Sequence, residues 1–244
     1  MPDIIQKTSV SQQVIDYILG CIDKGELKPG DRLPGEREFA ESLGISRVPL
    51  REAISALSLM GIIEKRHGEG NFIAGSPMDA LGQILRTSTI LDGSLADDLF
   101  ETREMVEGTC ARLAARNARA EDVNALHAAL ELMEVAIPAY ISGDKRLEDM
   151  LALDDLFHLR VAAASHNRFY IQFVSIMHTA GTDMGLYEEA YGKHPEKYYE
   201  SLKYHRSLTE AIEAGNEMLA QNIMCEHIAS IRRQTETKEG EGEK

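Results

Sequence analysis

Four residues in the second half of the chain have the types and spacings of a metal site. Asp154 and His158 stand four apart in LEDMLALDDLFHLRVAAAS, so on a helix they point the same way. His205 precedes Gly215 by ten residues, and His227 follows Asn216 by eleven. If the chain folds back at Gly215–Asn216, a rise of ~1.5 Å per residue puts both histidines about 15 Å from the turn, at one level. One carboxylate and three imidazoles converging inside a helical bundle suit a divalent metal: zinc first, nickel or manganese as alternatives. Asp155 is a rival for Asp154, displaced by about 100° around the helix. The plainer reading of the same spacing is an ordinary Asp/His pair on a helix surface. His127, His166, His178 and His194 read as surface or partly buried side chains.

A second set of residues lies near the N-terminus, in GEREFAESLGISRVPLREAISALSLM. Glu36–Leu43 and a longer segment after Ser46 read as two helices joined by a tight turn at Leu43–Gly44–Ile45. Ser46 is a good N-cap residue. Pro49 has no N–H, so a capping Ser46 hydroxyl is expected on the N–H of Val48. Leu50, Ala53, Ile54 and Leu57 make an apolar back, while Arg47 and Arg51, four apart, share another face. This is the anatomy of a helix-turn-helix whose second helix enters the major groove. It is also that of a plain αα-hairpin with two solvated arginines.

The flanking elements favour the first reading. Ser11–Lys24 is an amphipathic helix, followed by a turn-rich run, Lys28–Pro34. Downstream, Ile62–Lys65 and Asn71–Ala74 can pair as a hairpin with Arg66–Gly70 at its tip, a basic wing. Gly75–Ser76–Pro77 marks a boundary, and Met78–Leu91 reads as a connecting helix. Beyond Gly93 the pattern is helical throughout: Leu95–Asn117, Ala120–Tyr140, Lys145–Ser165, Arg168–Met184, Glu196–Ala214 and Glu217–Gln234. The expected apolar faces are Leu99, Val106, Cys110, Leu113 and Ala114 in the first of these, and Phe169, Phe173, Val174 and Met177 in the fourth. The Glu/Lys/Gly-rich tail from Thr235 is expected to be disordered.

Here the resemblance to a known family becomes specific. Residues 9–74 resemble the N-terminal domain of GntR-type winged-helix regulators, through LKPGDRLPGEREFAESLGISRVPLREAISALSLMGIIEKRHGEGNFI. Gly35 stands where that family usually has a serine cap, and Asn71 where it usually has threonine. The resemblance implies DNA contacts by Arg37, Arg47 and Arg51, and by Arg66, His67 and Gly68 of the wing. Residues 95–234 resemble the FCD ligand domain of the family's FadR branch. Its metal-binding members carry an Asp-x-x-x-His helix and a histidine in each of the last two helices, here Asp154, His158, His205 and His227. The Arg-x-x-x-Glu of its first helix is Arg103 and Glu107, which implies that Arg103 holds the carboxylate of a small effector; the alternative is a surface ion pair. Asn167 is a further effector contact by the same resemblance.

Composition bounds the rest. The 244 residues carry a net charge of −14, and 43% are apolar. Residues 1–75 hold nine Lys/Arg and eleven Asp/Glu, about −2, so the acidity belongs to the remainder. No run approaches a membrane span, and the first residues lack the order of a signal peptide. Cys21, Cys110 and Cys225 are widely spaced and odd in number, which fits reduced thiols in a cytoplasmic protein.

The expected molecule is mostly α. Residues 1–75 form a winged helix-turn-helix, 76–93 a linker and connecting helix, 94–234 an all-α antiparallel bundle that binds effector and metal and dimerises, and 235–244 a tail. Its expected function is a regulator, a repressor by preference, that binds pseudo-palindromic operator DNA as a homodimer and responds to a small carboxylic acid. The competing classes are a helical metallohydrolase using the same four ligands, and a winged module that binds protein or RNA.

Overall fold

The computed structural model describes residues 8–74 and 95–235. The expected boundary at 75–77, the connecting helix at Met78–Leu91 and the tail beyond 235 lie outside the described residues. The chain divides into two compact units.

In the first unit, α1 (Val10–Asp23) is capped by Ser9, whose hydroxyl accepts from Gln12 N. The pair α2 (Glu36–Ser42) and α3 (Arg47–Leu59) forms the helix-turn-helix. Gly44 makes the turn at a φ of 66°, left-handed backbone that suits glycine. Ser46 occupies the N-cap of α3 with extended backbone, but its hydroxyl makes no capping bond. The expected Ser46–Val48 contact is therefore absent, and Pro49 in the first turn does part of the work by needing no partner. Val14, Ile18, Phe39, Leu50, Ile54 and Leu57 pack into one core with Leu33, Ile63 and Ile73.

The wing is β1 (Ile63–Arg66) against β2 (Gly70–Ile73), antiparallel, with Ile63 opposite Ile73 and Arg66 opposite Gly70. The register is the one expected from Ile62–Lys65 against Asn71–Ala74, and only the strand ends differ by one residue; Ala74 N still donates to Ile62 O. Ile63 and Ile73 face the core together. The turn-rich run leading to α2 completes the sheet: Gly30 N donates to Ile73 O, Leu33 N to Asn71 O, and Ile73 N to Asp31 O.

The second unit is a helical bundle of α4 (Leu95–Asn117), α5 (Ala120–Ile141), α6 (Leu147–Ala164), α7 (Arg168–Asp183), α8 (Tyr198–Glu213) and α9 (Glu217–Thr235). A π-helical turn, Glu188–Gly192, and a 3-10 turn, Pro195–Lys197, lie between α7 and α8. The helices α5 and α6 begin alike: Asp122 accepts from Arg119 N and Asp149 from Arg146 N, each closing an open N-terminus. The chain does fold back at Gly215–Asn216, with Gly215 at a φ of 68° and Asn216 accepting from Leu219 N.

Two expected apolar faces hold in part: Cys110 and Ala114 on α4, and Val174 and Met177 on α7, are buried as expected, but the centre of each face is rotated. On α4 the buried residues are Phe100, Arg103, Glu107, Cys110, Ala111 and Ala114, while Leu99 and Val106 sit at the margin. On α7, Val174, Met177, His178 and Gly181 are buried, and Phe169 and Phe173 are 71% and 44% exposed. In both helices the inward face carries polar residues, which an apolar count passes over.

Where α4 crosses α9 the backbones are close. A methyl group on Gly108 would come within 2.7 Å of Cys225 Sγ. Gly108→Ala should therefore lower the melting temperature, because overpacking of about 1–3 kcal/mol outweighs a helix-propensity gain of up to about 1 kcal/mol. In a Cys225→Ala background the same change should become neutral or stabilising, a sign reversal that thermal melts of the four proteins would show.

Candidate metal centre and nucleic-acid interface

The bundle brings Asp154, His158, His205 and His227 together from three helices. One ligand atom from each lies within 4.8 Å of the others, and all four residues are buried. His205 Nε2 is 3.0 Å from His227 Nε2. Asp154 Oδ1 is 3.7 Å from His205 Nε2, and Asp154 Oδ2 is 3.7 Å from His158 Nε2. Asp154 Oδ1 and His158 Nε2 have no hydrogen-bond partner, an expensive arrangement for buried polar atoms unless something else meets them. Burial holds the pKa of His205 and of His227 well below the usual imidazole range, reinforced chiefly by His227 for the former and His158 for the latter. Both rings are thus neutral, the form that ligates metal. Burial also raises the carboxyl of Asp154. Phe157 stacks on His205 at 4.0 Å and fixes that ring.

Behind this group lies a second layer. Glu107 Oε2 is 2.5 Å from His158 Nδ1. A carboxylate there holds the proton on Nδ1 and leaves the Nε2 lone pair facing the cluster, the orientation a metal-ligating histidine needs. Glu107 Oε1 accepts from Arg103 Nε at 2.7 Å, and both side chains are 1% exposed. The surface ion pair considered for Arg103 and Glu107 is therefore excluded: their pairing is internal. Burial opposes the charge on Glu107, but Arg103, His178 and His158 outweigh it and hold its pKa well below the usual range.

Each nitrogen of Arg103 has a partner. Its Nη1 donates to Tyr187 Oη at 2.6 Å, and its Nη2 lies 2.9 Å from His178 Nε2. His178 Nδ1 is 2.6 Å from Asp155 Oδ1. Burial and Arg103 disfavour protonation of His178, yet Glu107 and Asp155 lift its pKa to about 9. The geometry favours the neutral ring all the same. Nε2 is closer to the guanidinium than to Glu107 Oε2, which is 3.3 Å away, and only an unprotonated Nε2 can accept from Arg103. We therefore place one proton on Nδ1, donated to Asp155.

Glu107, His158 and His178, and likewise Asp154, Asp155 and His178, also converge closely enough for a cation. There His158 Nδ1, both nitrogens of His178, Glu107 and Asp155 are already hydrogen-bonded, and Arg103 supplies the positive charge. Asp154 Oδ1 and His158 Nε2, both unpartnered, come together in the first group alone of the three, so the residues present fit a metal at Asp154, His158, His205 and His227.

His178 was read as a bystander in the sequence and is instead the link between Arg103 and Asp155. The available signal was its place four residues after Val174 and three before Gly181, on the inward face of α7. Tyr187 gave no signal. It reaches Arg103 from the segment after α7, lying so close to Gly181 that a Cβ there would meet its hydroxyl at 2.6 Å. Asn167 is engaged elsewhere, as the N-cap of α7, accepting from Phe169 N.

In the first unit, Arg47 and Arg51 project from α3 with side chains 57% and 61% exposed. Both lean toward Glu36: Arg51 Nε and Nη2 donate to its Oε2 at 3.1 and 3.0 Å, and Arg47 Nη2 lies 3.9 Å away. Arg47, Val48, Arg51, Glu52 and Ser55 line a concave strip along the helix. Arg37, His67 and Gly68 are exposed. Arg66, expected among the DNA contacts of the wing, is paired with Glu64 and lies over Phe72 at 4.4 Å. Lys65 Nζ donates to Ser55 Oγ and ties the wing to α3.

Comparison with known proteins agrees with both halves. The family description "Bacterial regulatory proteins, gntR family" matches residues 10–73, and an FCD domain matches residues 98–230. The chain is 29% identical to the HTH-type transcriptional regulator LutR of Bacillus subtilis (strain 168), over 86% of this chain and 94% of that one. It is 27% identical to the Uxu operon transcriptional regulator of Escherichia coli (strain K12), over 91% and 84% of the two. A solved structure of Streptococcus agalactiae GntR superposes with a TM-score of 0.69 at 30% identity, covering 92% of this chain and 99% of that one. Fold and sequence thus define a DNA-binding transcriptional regulator with an effector-binding domain. The chain belongs to the GntR family and carries an FCD domain. The relatives are regulators rather than enzymes, so the metallohydrolase reading is set aside. No helix among the described residues is long and apolar enough to cross a membrane.

The charge network makes a direct demand on stability. Glu107→Gln would leave Arg103 buried beside a neutral amide. Loss of one partner from such a pair costs about 3–5 kcal/mol, so the variant's denaturant midpoint should fall far below that of the parent, with an unchanged m-value.

Proposed function

We propose that the protein is a cytoplasmic repressor that binds a pseudo-palindromic operator as a homodimer and responds to a small carboxylic acid held beside a divalent metal, zinc by preference. The observation that carries this reading is the group of four buried candidate ligands, with Asp154 Oδ1 and His158 Nε2 lacking a hydrogen-bond partner. Asp154, His158, His205 and His227 would hold the metal, with Glu107 fixing the tautomer of His158. The metal would supply open positions to which a carboxylate can bind.

Arg103 would take another part of the same ligand. Each nitrogen of its guanidinium already has a partner and the side chain is buried, so the ligand would displace one of them. Tyr187 is the cheapest to displace, being neutral and bound through one hydrogen bond; Glu107 is a buried charge whose loss is costly. An acid that exchanged with the Tyr187 hydroxyl would bind between α4 and the helices of the metal group. The resulting change in helix tilt is the proposed signal to the DNA-binding unit. A coupling of 1–3 kcal/mol would alter operator affinity about 5–150-fold.

On DNA, Arg47 and Arg51 would read base edges or phosphates from the major groove, and Arg37 would hold phosphate. Arg66, His67 and Gly68 would contact the backbone or minor groove, Arg66 after exchanging Glu64 for phosphate. One recognition helix covers only a few base pairs, which is the argument for two copies on a palindrome.

Metal content separates this reading from its rivals. Protein purified without a metal-affinity column should carry close to one divalent ion per chain by elemental analysis, and His205→Ala and His227→Ala should lose it. Metal-free parent protein that still releases operator in response to its acid would defeat the metal-bridge reading. Tyr187→Phe should tighten acid binding by roughly tenfold, since the ligand then no longer has to break a hydrogen bond of about 1–1.5 kcal/mol in the free protein. Titration calorimetry would detect it, and weaker binding would show that the hydroxyl contacts the ligand instead.

A further inference from the structure

We propose that Glu36 is a positioning residue for base reading: its carboxylate holds one edge of the Arg51 guanidinium so that the other edge is presented, already oriented, to a guanine. The inference rests on the reading of α3 as the recognition helix and adds to it a residue from the neighbouring helix that sets specificity.

The geometry is that of a buttress. A guanidinium carries five N–H donors in a fixed planar fork. Glu36 Oε2 accepts from Nε and from one hydrogen of Nη2, at 3.1 and 3.0 Å. The donors left over are both hydrogens of Nη1 and the second hydrogen of Nη2. Two of these are parallel and form the end-on pair that matches guanine O6 and N7. Glu36 therefore consumes the edge that base reading does not need.

Glu36 is itself held. It opens α2 directly after Gly35, where the partial positive charge of the helix N-terminus favours a carboxylate. Phe39 and Ala40, one turn on, are buried against the core that includes Leu50 and Ile54 of α3. Its side chain is 28% exposed against 61% for Arg51, so the carboxylate lies behind the arginine. Arg47, at 3.9 Å from the same oxygen, is held less closely and stays available for phosphate.

Two consequences have opposite signs. Ordering Arg51 before DNA arrives removes an immobilisation penalty equivalent to roughly two- to tenfold in affinity. A carboxylate near the groove also repels phosphate, which weakens binding to any sequence. A buttress therefore raises specific binding relative to non-specific binding. A carboxylate that merely competes with DNA for Arg51 weakens both alike.

The test uses the full chain, with a duplex selected by the parent protein from a random library and a scrambled duplex of the same composition. Fluorescence anisotropy gives the specificity ratio for the parent, Glu36→Gln, Arg51→Ala and the double variant, with circular dichroism to confirm folding. Glu36→Gln is expected to lose about three- to tenfold on the selected duplex while holding or gaining on the scrambled one. Re-selection should show relaxed preference at one guanine. In the Arg51→Ala background, Glu36→Gln should change the ratio less than twofold. Glu36→Asp keeps the charge but draws it back, and should fall between parent and Gln. Equal tightening on both duplexes would overturn the proposal and leave Glu36 a competing counter-ion. So would an undiminished effect in the Arg51→Ala background. If Arg51→Ala itself leaves the ratio unchanged, the recognition-helix reading fails and this inference with it; if only Glu36→Gln is silent, the reading stands and the buttress alone is lost.

Discussion

The bundle is built around a buried cation that cannot be neutralised. Arg103 is fully enclosed, and a guanidinium stays protonated at any relevant pH. Its charge must be met inside the protein. Glu107 meets it one helical turn away, and because that carboxylate is also buried, its second oxygen needs a donor, which His158 provides. The rest of the arrangement follows from satisfying the remaining donors: Tyr187 closes Nη1, His178 closes Nη2, and Asp155 closes His178. A network of this kind is costly when partly satisfied and specific when complete. It fixes the rotation of α4, α6 and α7 in the bundle, which is why Leu99 sits at the margin of the core and Phe169 outside it.

The same chain of contacts ties the proposed ligand site to the proposed metal site. Glu107 bonds Arg103 with one oxygen and His158 with the other. A change at Arg103 is therefore felt at His158, one of the candidate ligands, through a single carboxylate. The partners of Arg103 come from α4, α7 and the segment before α8, and the four candidate ligands from α6, α8 and α9. Exchange at that point touches most of the bundle.

In the DNA-binding unit the governing constraint is also charge pairing, though on the surface. Glu36 answers Arg51 and Glu64 answers Arg66. Such pairs contribute little to stability, but they orient side chains and lower the attraction to arbitrary phosphate. They account for a DNA-binding unit that is close to neutral within a strongly acidic protein.

Much of this was legible in the sequence. The helix-turn-helix showed in Leu50, Ala53, Ile54 and Leu57 against Arg47 and Arg51, and the meeting of His205 with His227 followed from their equal distances to Gly215–Asn216. These are local facts: helical period and rise depend on neighbouring residues alone. The sequence by itself determined the α-helices and the wing of the described residues, their order, the family, and the convergence of Asp154, His158, His205 and His227. The tertiary structure decided which way each helix turns, and so it alone revealed His178, Asp155 and Tyr187 around Arg103, and Glu36 behind Arg51. Those partners come from segments far apart in the chain, and their pairing is set by helix rotation and by the need to satisfy buried charge, neither of which periodicity records.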